Sequence, residues 1–496
     1  MRLSSRKLIT SILVSQALAG PVDPVVGVCQ ELAQLNSKGT ILPSSSNYTT
    51  LSDDNWSATA WAKPSCIVQP KHVTDLQAIV RLVTRDQVPF AIRSGGHMPS
   101  PLGANINRGV LIDMSGFDSF EYNPSSQLVT IGMGQRWKTV YEQLDAYNRT
   151  AVGGRVTDVG VGGLILGSGL SYLSDLYGLA CDNVVDFEIV LANGSVTHAN
   201  AHDHQDLFWA LKGGANNFGI VTTATLKTYP MGPVWGGIKW YAIDQLPAIM
   251  DALHEYQTTP NKDPYANLMV EAVPLNNNSS GVILNLVYLK PEVSPDAFAP
   301  FYSLPTVLDT TKIQSFVDFM SGTVLPDLPR WDWHATSFVP SPTLYPKIAD
   351  YFLHPNASAS ASLARLETIK SHTLSVGLQP ISASAVLAGR EAGGGNAPGL
   401  QAVNQTWMVL DIGWSLEDDD GRAHNATAGV RAEMETLSRQ EGSYVEYIFM
   451  NDASWDQPVI AHYGEESVRK LRDVQRRYDP QRVFQRLVPG GFKLPE

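Results

Sequence analysis

The sequence predicts an α+β fold divided into two sizeable units, and three observations carry that prediction. The chain has 496 residues, 44% of them hydrophobic, and single cores stop growing at roughly 250–300 residues. From residue 67 to residue 230, short β-like runs alternate with helical ones across loops of ordinary length. Past Pro230 the texture changes: Met231-Gly232-Pro233 and Val234-Trp235-Gly236-Gly237 lead into a stretch richer in aromatics and prolines. The boundary is placed there.

The N-terminus is basic over residues 1–7, apolar-rich over 8–18, and offers Ala17-Leu18-Ala19 as a small-x-small site. That is the pattern of a secretory signal peptide over residues 1–19. It is too short for a membrane span, and no other segment reaches the ~20 apolar residues a span needs. Residues 20–61 form an extension ahead of the first patterned unit, 62–233. Asn-x-Ser/Thr sequons begin at Asn47, Asn55, Asn148, Asn193, Asn277, Asn278, Asn356, Asn404 and Asn425, so a secreted chain would carry N-linked glycans. Three cysteines allow at most one internal disulfide. Cys29 and Cys66 lie outside the long patterned region, and oxidising export would let them pair, leaving Cys181 as a small buried hydrophobe.

Within the first unit, Thr74-Asp75-Leu76-Gln77 reads as a capping box opening a helix with Leu76, Ile79, Val80 and Val83 on one face. Strands are predicted at 88–92, 110–114, 127–132, 184–192 and 218–226, with Asn193-Gly194 as a hairpin turn into 195–198. The second unit, 234–445, carries helical windows at 246–256 and 361–369 and strand-like runs at 281–289 and 407–414. Its Gly393-Gly394-Gly395 is a loop. The last segment, 446–496, contains a helix burying Val468, Leu471, Val474 and Tyr478, supported by Glu465–Arg469 and Glu466–Lys470 pairs and ended near Pro480.

A formal charge of −12 argues against nucleic acid as a partner, since such proteins present a basic face. With neither Cys-x-x-Cys nor His-Glu-x-x-His, no zinc site is expected, and His202-Asp203-His204 reads as a solvated loop. The chemistry concentrates in glycine clusters. Arg93-Ser94-Gly95-Gly96-His97 follows an apolar run, so its glycines can bring backbone N–H groups close to an anion while its imidazole can attack an electrophilic carbon. The stretch 153–169 holds seven glycines in seventeen residues. Its spacing is neither that of a Rossmann turn nor that of a P-loop. A third cluster, from Lys212-Gly213-Gly214 to Phe218-Gly219-Ile220-Val221, leads into a strand. Three such clusters in one unit suggest a backbone wrapped around a long phosphate-containing cofactor.

These motifs, with Asp206-Leu207-Phe208-Trp209 before the third cluster and Tyr478-Asp479-Pro480 with Phe484-Gln485 near the C-terminus, resemble the FAD-linked oxidases of the vanillyl-alcohol oxidase superfamily. The nearest likeness is to berberine bridge enzyme-like proteins, in particular their fungal secreted branch. The resemblance implies a two-part FAD-binding domain at 62–233, a substrate domain with an antiparallel sheet and helices at 234–445, and a C-terminal segment returning to the first. It implies that His97 bonds covalently to the flavin and that Arg93, Ser94, Gly95 and Gly96 form the pyrophosphate loop. Val156, Gly160, Gly162, Gly163, Ser168 and Gly169 would line the cofactor, with Ile220 and Val221 on the adenine side. Val156 stands where many relatives have a second linking cysteine, so one covalent link is expected; Leu164 replaces a histidine near the ribityl chain. Val159 matches a gatekeeper that lets oxygen reach the flavin, and Asn451 a residue returning to it. Cys29 and Cys66 match paired cysteines of the family.

The implied activity is oxidation of a small alcohol, amine or sugar-like substrate by hydride transfer to the flavin, with oxygen reduced to hydrogen peroxide. A place in secondary metabolism, in a natural-product pathway, accompanies it. Tyr447 is the expected base, on a strand-like run before Asn451. The alternative is a flavin-containing cyclase or isomerase with little net oxidase turnover. A third reading, a non-catalytic glycoprotein keeping the fold, is weighed against by intact His97 and Val159.

Overall fold

The computed structural model describes residues 23–36, 38–276, 280–322, 327–354, 360–370 and 372–496. The expected signal peptide lies outside them, as do the sequons at Asn277, Asn278 and Asn356. The fold is α+β, built on three sheets among the described residues.

In the first sheet, Cys66–Val68, Val110–Asp113 and Phe90–Arg93 run parallel, with Thr40–Ile41 added antiparallel at one edge. Parallel neighbours need a crossover, and helix Val73–Arg85 supplies it, burying Leu76, Ile79, Val80, Leu82 and Val83. The helix starts one residue ahead of the expected capping box. Asp75, not Gln77, reaches back, accepting from the His72 N–H at 3.2 Å, because the third helical position is the one within reach of the N-cap nitrogen. The Cys29–Cys66 disulfide ties helix Pro24–Leu35 to the first of these strands. Cys181 is free and buried.

The second sheet is antiparallel, in the order Phe120–Asn123, Leu128–Gly132, Ile220–Pro230, Val184–Val190, Val196–Asn200, with Arg149–Ala151 on the far end of Ile220–Pro230. Asn193 and Gly194, the latter at φ +75°, turn the hairpin between Val184–Val190 and Val196–Asn200.

The third sheet has nine antiparallel strands, the first beginning at Val234 and the last ending at Val445. At its centre Val234–Tyr241, Gly281–Tyr288, Ala266–Asn276, Thr373–Ile381, Gln405–Trp414 and Arg330–Phe338 lie side by side. Helices Leu246–Thr258, Leu344–Leu353 and Asp420–Gln440 cover one face, sharing a core with Val270, Leu284, Val376, Leu410 and Ile412. Successive strand residues point to opposite faces. Met269, Glu271, Ile283, Ser375, Gly377, Val409 and Asp411 therefore project from the other face.

Past Val445 the chain leaves this sheet and returns to the first two. The Tyr463 hydroxyl donates to the Gly213 carbonyl at 2.9 Å, Tyr478 to Asp206 at 2.8 Å, and Gln485 to the Asn217 carbonyl at 2.8 Å. Helix Glu465–Tyr478 buries Leu471 and Val474, while Val468 and Tyr478 stay partly exposed. The two expected i,i+4 pairs do not form. Arg469 faces Asp473 at 3.9 Å, and the Lys470 Nζ lies 3.8 Å from the centre of the Trp209 ring, a contact of about the same strength as an exposed ion pair. Among the described residues no helix is long and apolar enough to cross a membrane.

Candidate active site

A cavity of about 670 Å³ lies between the glycine loops and the uncovered face of the nine-stranded sheet, within the usual size range of small-molecule sites. Its loop wall begins where strand Phe90–Arg93 ends. Ser94 anchors the turn by donating to the Met133 carbonyl at 2.6 Å, and Gly96 takes φ +65°. Gly95 packs so closely on Gly160 that neither has room for a Cβ. Gly163, by contrast, has no atom within 4 Å of where its Cβ would be. Both glycines of this second loop line the cavity.

His97 lines the same wall. Its ring stacks on Trp56 at a centroid separation of 4.6 Å and 10° between planes, and Trp56 in turn stacks on Trp331 at 5.4 Å. Both ring nitrogens of His97 are buried without a hydrogen-bond partner. Burial lowers its pKa to about 4, because a charged imidazole loses its hydration there. His97 is thus a neutral imidazole with nitrogens free to react.

The sheet wall carries acids. Glu271, Asp411 and Asp452 all line the cavity. Burial raises each carboxyl above its ordinary range, and for Asp411 the neighbouring Asp452 and Glu271 push further the same way. Ser375 donates to Glu271 at 2.7 Å, and Gln379 donates to Asp452 at 2.7 Å while accepting from Arg155. Sheet register groups the first two acids, with Glu271 opposite Gly377 and Asp411 opposite both Ser375 and Trp333, and Asp452 joins them from the 3-10 turn Met450–Asp452. A Cβ on Gly377 would stand 2.7 Å from Val409 Cγ1.

The structure gathers most of the expected residues. Ser94, Gly95, Gly96, His97, Val156, Val159, Gly160, Gly162, Gly163, Ile220, Val221 and Asn451 line the cavity, as does Leu164. Four do not. Arg93 is buried in an ion pair with Asp113 at 2.8 Å and meets Asn55 at 3.3 Å, so it fixes the strand ends. Ser168 and Gly169 form the turn after helix Val161–Leu166, at φ +86° and +73°, where their carbonyls accept from Cys181 and Ala180. Tyr447 is packed against Trp407 at 5.0 Å and Tyr463 at 6.2 Å, its hydroxyl buried without a partner. Burial drives that phenol well above its ordinary pKa, and the side chain stands outside the cavity lining. The sequence reading missed Trp56, Arg155, Glu271, Asp411 and Asp452.

Comparison with known proteins agrees with this arrangement. The FAD binding domain family FAD_binding_4 matches residues 64–200. A bifunctional solanapyrone synthase of Alternaria solani is 36% identical over 474 residues, covering 94% of this chain and 88% of that protein. A FAD-dependent monooxygenase of Arthrobotrys oligospora is 34% identical, covering 90% of this chain and 85% of that protein. Among solved structures, the xylooligosaccharide oxidase of Myceliophthora thermophila superposes with a TM-score of 0.77 at 18% identity, over 95% of this chain and all (100%) of that one. The chain is a FAD-dependent oxidoreductase. It belongs to the family of FAD-dependent proteins that these fungal relatives represent, and it shares its fold with a berberine bridge enzyme-like protein of Physcomitrella patens, at a TM-score of 0.74 and 21% identity over 94% of this chain and 99% of that one. The cavity suits that cofactor: glycine backbone without side chains forms one wall, and a neutral, unpartnered imidazole stands beside it.

Proposed function

We propose that this chain is a secreted oxidase that removes a hydride from a small organic substrate and delivers the electrons to oxygen, releasing hydrogen peroxide. FAD, when bound, supplies the hydride acceptor and the site of oxygen reduction. The observation that carries the reading is His97, half-buried at the cavity with both ring nitrogens buried and unpartnered. A neutral imidazole is the nucleophilic form, and His97 would hold the flavin covalently, stacked against Trp56. Ser94–Gly96 and Gly160–Gly163 would receive the phosphates through backbone N–H groups. A substrate hydroxyl or amine must also lose a proton, and Asp411 is the favoured acceptor, because a carboxylate with a raised pKa is a stronger base. Trp56, Trp331 and Trp333 would exclude water and give a flat substrate apolar surface to lie on. Val159, a modest side chain on the loop wall, would leave oxygen a way in.

Export and glycosylation belong to the same proposal. Asn47, Asn148, Asn193 and Asn425 are exposed. Asn55 is buried on Arg93, and Asn404 is engaged by Gln257 and Ala383, so neither offers a free side-chain amide. A role in secondary metabolism draws support from the kinship with a protein named as a synthase, and the same kinship favours a second reading, a cyclase or isomerase with little oxidase turnover. A peroxide assay over alcohols, amines and oligosaccharides tests both. Turnover with stoichiometric peroxide supports the oxidase; substrate consumed without peroxide or oxygen uptake replaces it with the second reading.

A further inference from the structure

We propose that Asp332, His334 and His424 form a binding site for a divalent transition-metal ion, zinc by chemical preference, on the side of the nine-stranded sheet opposite the cavity. On strand Arg330–Phe338, Trp331 and Trp333 line the cavity. The alternating residues Asp332 and His334 are turned the other way, toward helix Asp420–Gln440, which supplies His424. One ligand atom from each of the three lies within 4.8 Å of the others. Asp332 Oδ2 is 2.7 Å from His424 Nδ1 and 3.6 Å from His334 Nδ1. Ligands ~2.0–2.2 Å from a tetrahedral zinc stand roughly 3.3–3.6 Å apart, so small side-chain movements would close the set around an ion.

His334 is the side chain that points to a ligand. It is 0% exposed, and neither ring nitrogen has a hydrogen-bond partner. A buried polar group left unsatisfied is costly and calls for a partner. Without an ion, His424 could sit as an imidazolium between Asp332 and Asp456, but that arrangement does nothing for His334. With an ion, both imidazoles gain a bond.

The surroundings match what coordinating histidines need. Asp456 lies behind both rings, with Oδ2 at 3.3 Å from His424 Nε2 and Oδ1 at 3.7 Å from His334 Nε2. A carboxylate on the far nitrogen fixes the tautomer and orientation of a coordinating imidazole. Asp332 is held too, its Oδ1 accepting from Ser454 and from the Trp333 N–H, each at 3.0 Å. Two imidazoles and a carboxylate suit zinc and its neighbours rather than calcium or magnesium, and three protein ligands leave a fourth position for water. The Asp456 side chain, 38% exposed, and Trp455, stacked on His424 at 5.2 Å, mark the approach from solvent.

An ion here would act on the cavity from behind. It would pin the strand bearing Trp331 and Trp333 to helix Asp420–Gln440 through His424, with Asp456 behind the rings on a segment that Gln457 already ties to Ala335 through two hydrogen bonds of 2.9 and 2.8 Å. The role is structural.

The test uses the full-length, FAD-loaded protein, stripped with a chelator and titrated with zinc chloride by calorimetry, with bound metal counted by elemental mass spectrometry. His334→Gln, His424→Gln and Asp456→Asn are measured in parallel, with circular dichroism and flavin absorbance verifying the fold. His424 and Asp456 are partly exposed, so their variants keep the test open if His334→Gln does not fold. One zinc per chain is expected in the wild type, with a rise in Tm on zinc addition. Binding at least tenfold weaker is expected in the folded variants. No saturable zinc binding by the wild type, or binding unchanged in the folded variants, overturns the proposal.

Discussion

Gly95 and Gly160 meet backbone to backbone: a Cβ on Gly95 would stand 2.5 Å from the Gly160 Cα, and one on Gly160 would stand 2.4 Å from the Gly95 nitrogen. The loop that carries His97 and the loop that carries Val159 thus share one contact surface with no side chain between them. Neither can shift without the other.

Gly160→Ala should separate the loops, costing about 1–3 kcal/mol as an overpacked contact between two backbones. Thermal unfolding and the flavin content of purified protein should both fall. Gly163→Ala is the control, because its methyl meets nothing in the protein and alanine favours the helix. There, flavin content should drop while the stability of flavin-free protein holds or rises. Equal loss of stability in both variants would show that the cradle is not where the glycines matter.

His97→Ala should release FAD on denaturation, where the wild type keeps it, and an intact-mass spectrum reads the difference directly. Acid sensitivity is a second consequence. The unfolded imidazole takes a proton near 6.5 and the folded one only near about 4, so between those values the unfolded state binds more protons. Stability of the flavin-free protein should therefore fall as pH drops through that window, by up to about 3 kcal/mol. His97→Gln should reduce that dependence.

Asp411→Asn should lower kcat by about 10²–10⁴-fold if the carboxylate takes the substrate proton. Its pKa lies well above the ordinary carboxylate range through burial and the charges of Asp452 and Glu271. The wild-type rate should accordingly rise with pH through a midpoint above that range, and the variant should lose that limb. A change confined to KM would make Asp411 a binding group.

Val159→Leu adds bulk on the loop wall, where packed neighbours cannot easily relax. Stopped-flow kinetics should show reoxidation by oxygen slowed more than reduction by substrate. Equal slowing of both half-reactions would mark Val159 as an ordinary packing residue.

Removing the Cys29–Cys66 bridge by Cys29→Ser with Cys66→Ser frees a loop of 37 residues, a loss of about 4 kcal/mol on the chain-entropy account. Thiol labelling of native wild type should mark none of the three cysteines, and labelling after denaturation without reductant should mark Cys181 alone. Reaction of all three would exclude the bridge.

What the sequence made legible was the chemistry that is contiguous in the chain. His97 and the glycine loops stand in short runs whose backbone needs are visible residue by residue. The cavity acids were not read, because Glu271 and Asp411 come together only through strand pairing and Asp452 joins them only where the chain returns past Val445. Two of them did leave a signal, each a lone charge in an apolar strand, with Val270 and Ala272 flanking one and Leu410 and Ile412 the other. Trp56 left none, since it lies in an irregular stretch. Tyr447 was misplaced because the last strand of the sheet ends at Val445, and beyond it alternation no longer says which way a side chain points. Asp332 and His334 were hidden for a related reason: their pattern is two residues on one strand face, and the third member sits 90 residues further on, at His424.

The return of the C-terminal segment sets an order of events in the making of the protein. Gly491 and Phe492 are part of the cavity wall, the Asn217 amide donates to the Phe492 carbonyl at 2.8 Å, and the Phe90 N–H donates to the Leu487 carbonyl at 2.8 Å. Domains begin to fold while the ribosome is still adding residues, so the first two sheets can form long before these contacts exist. The cavity is walled only when residue 492 has left the ribosome, so the site that would take the flavin is completed after both sheets that flank its glycine loops.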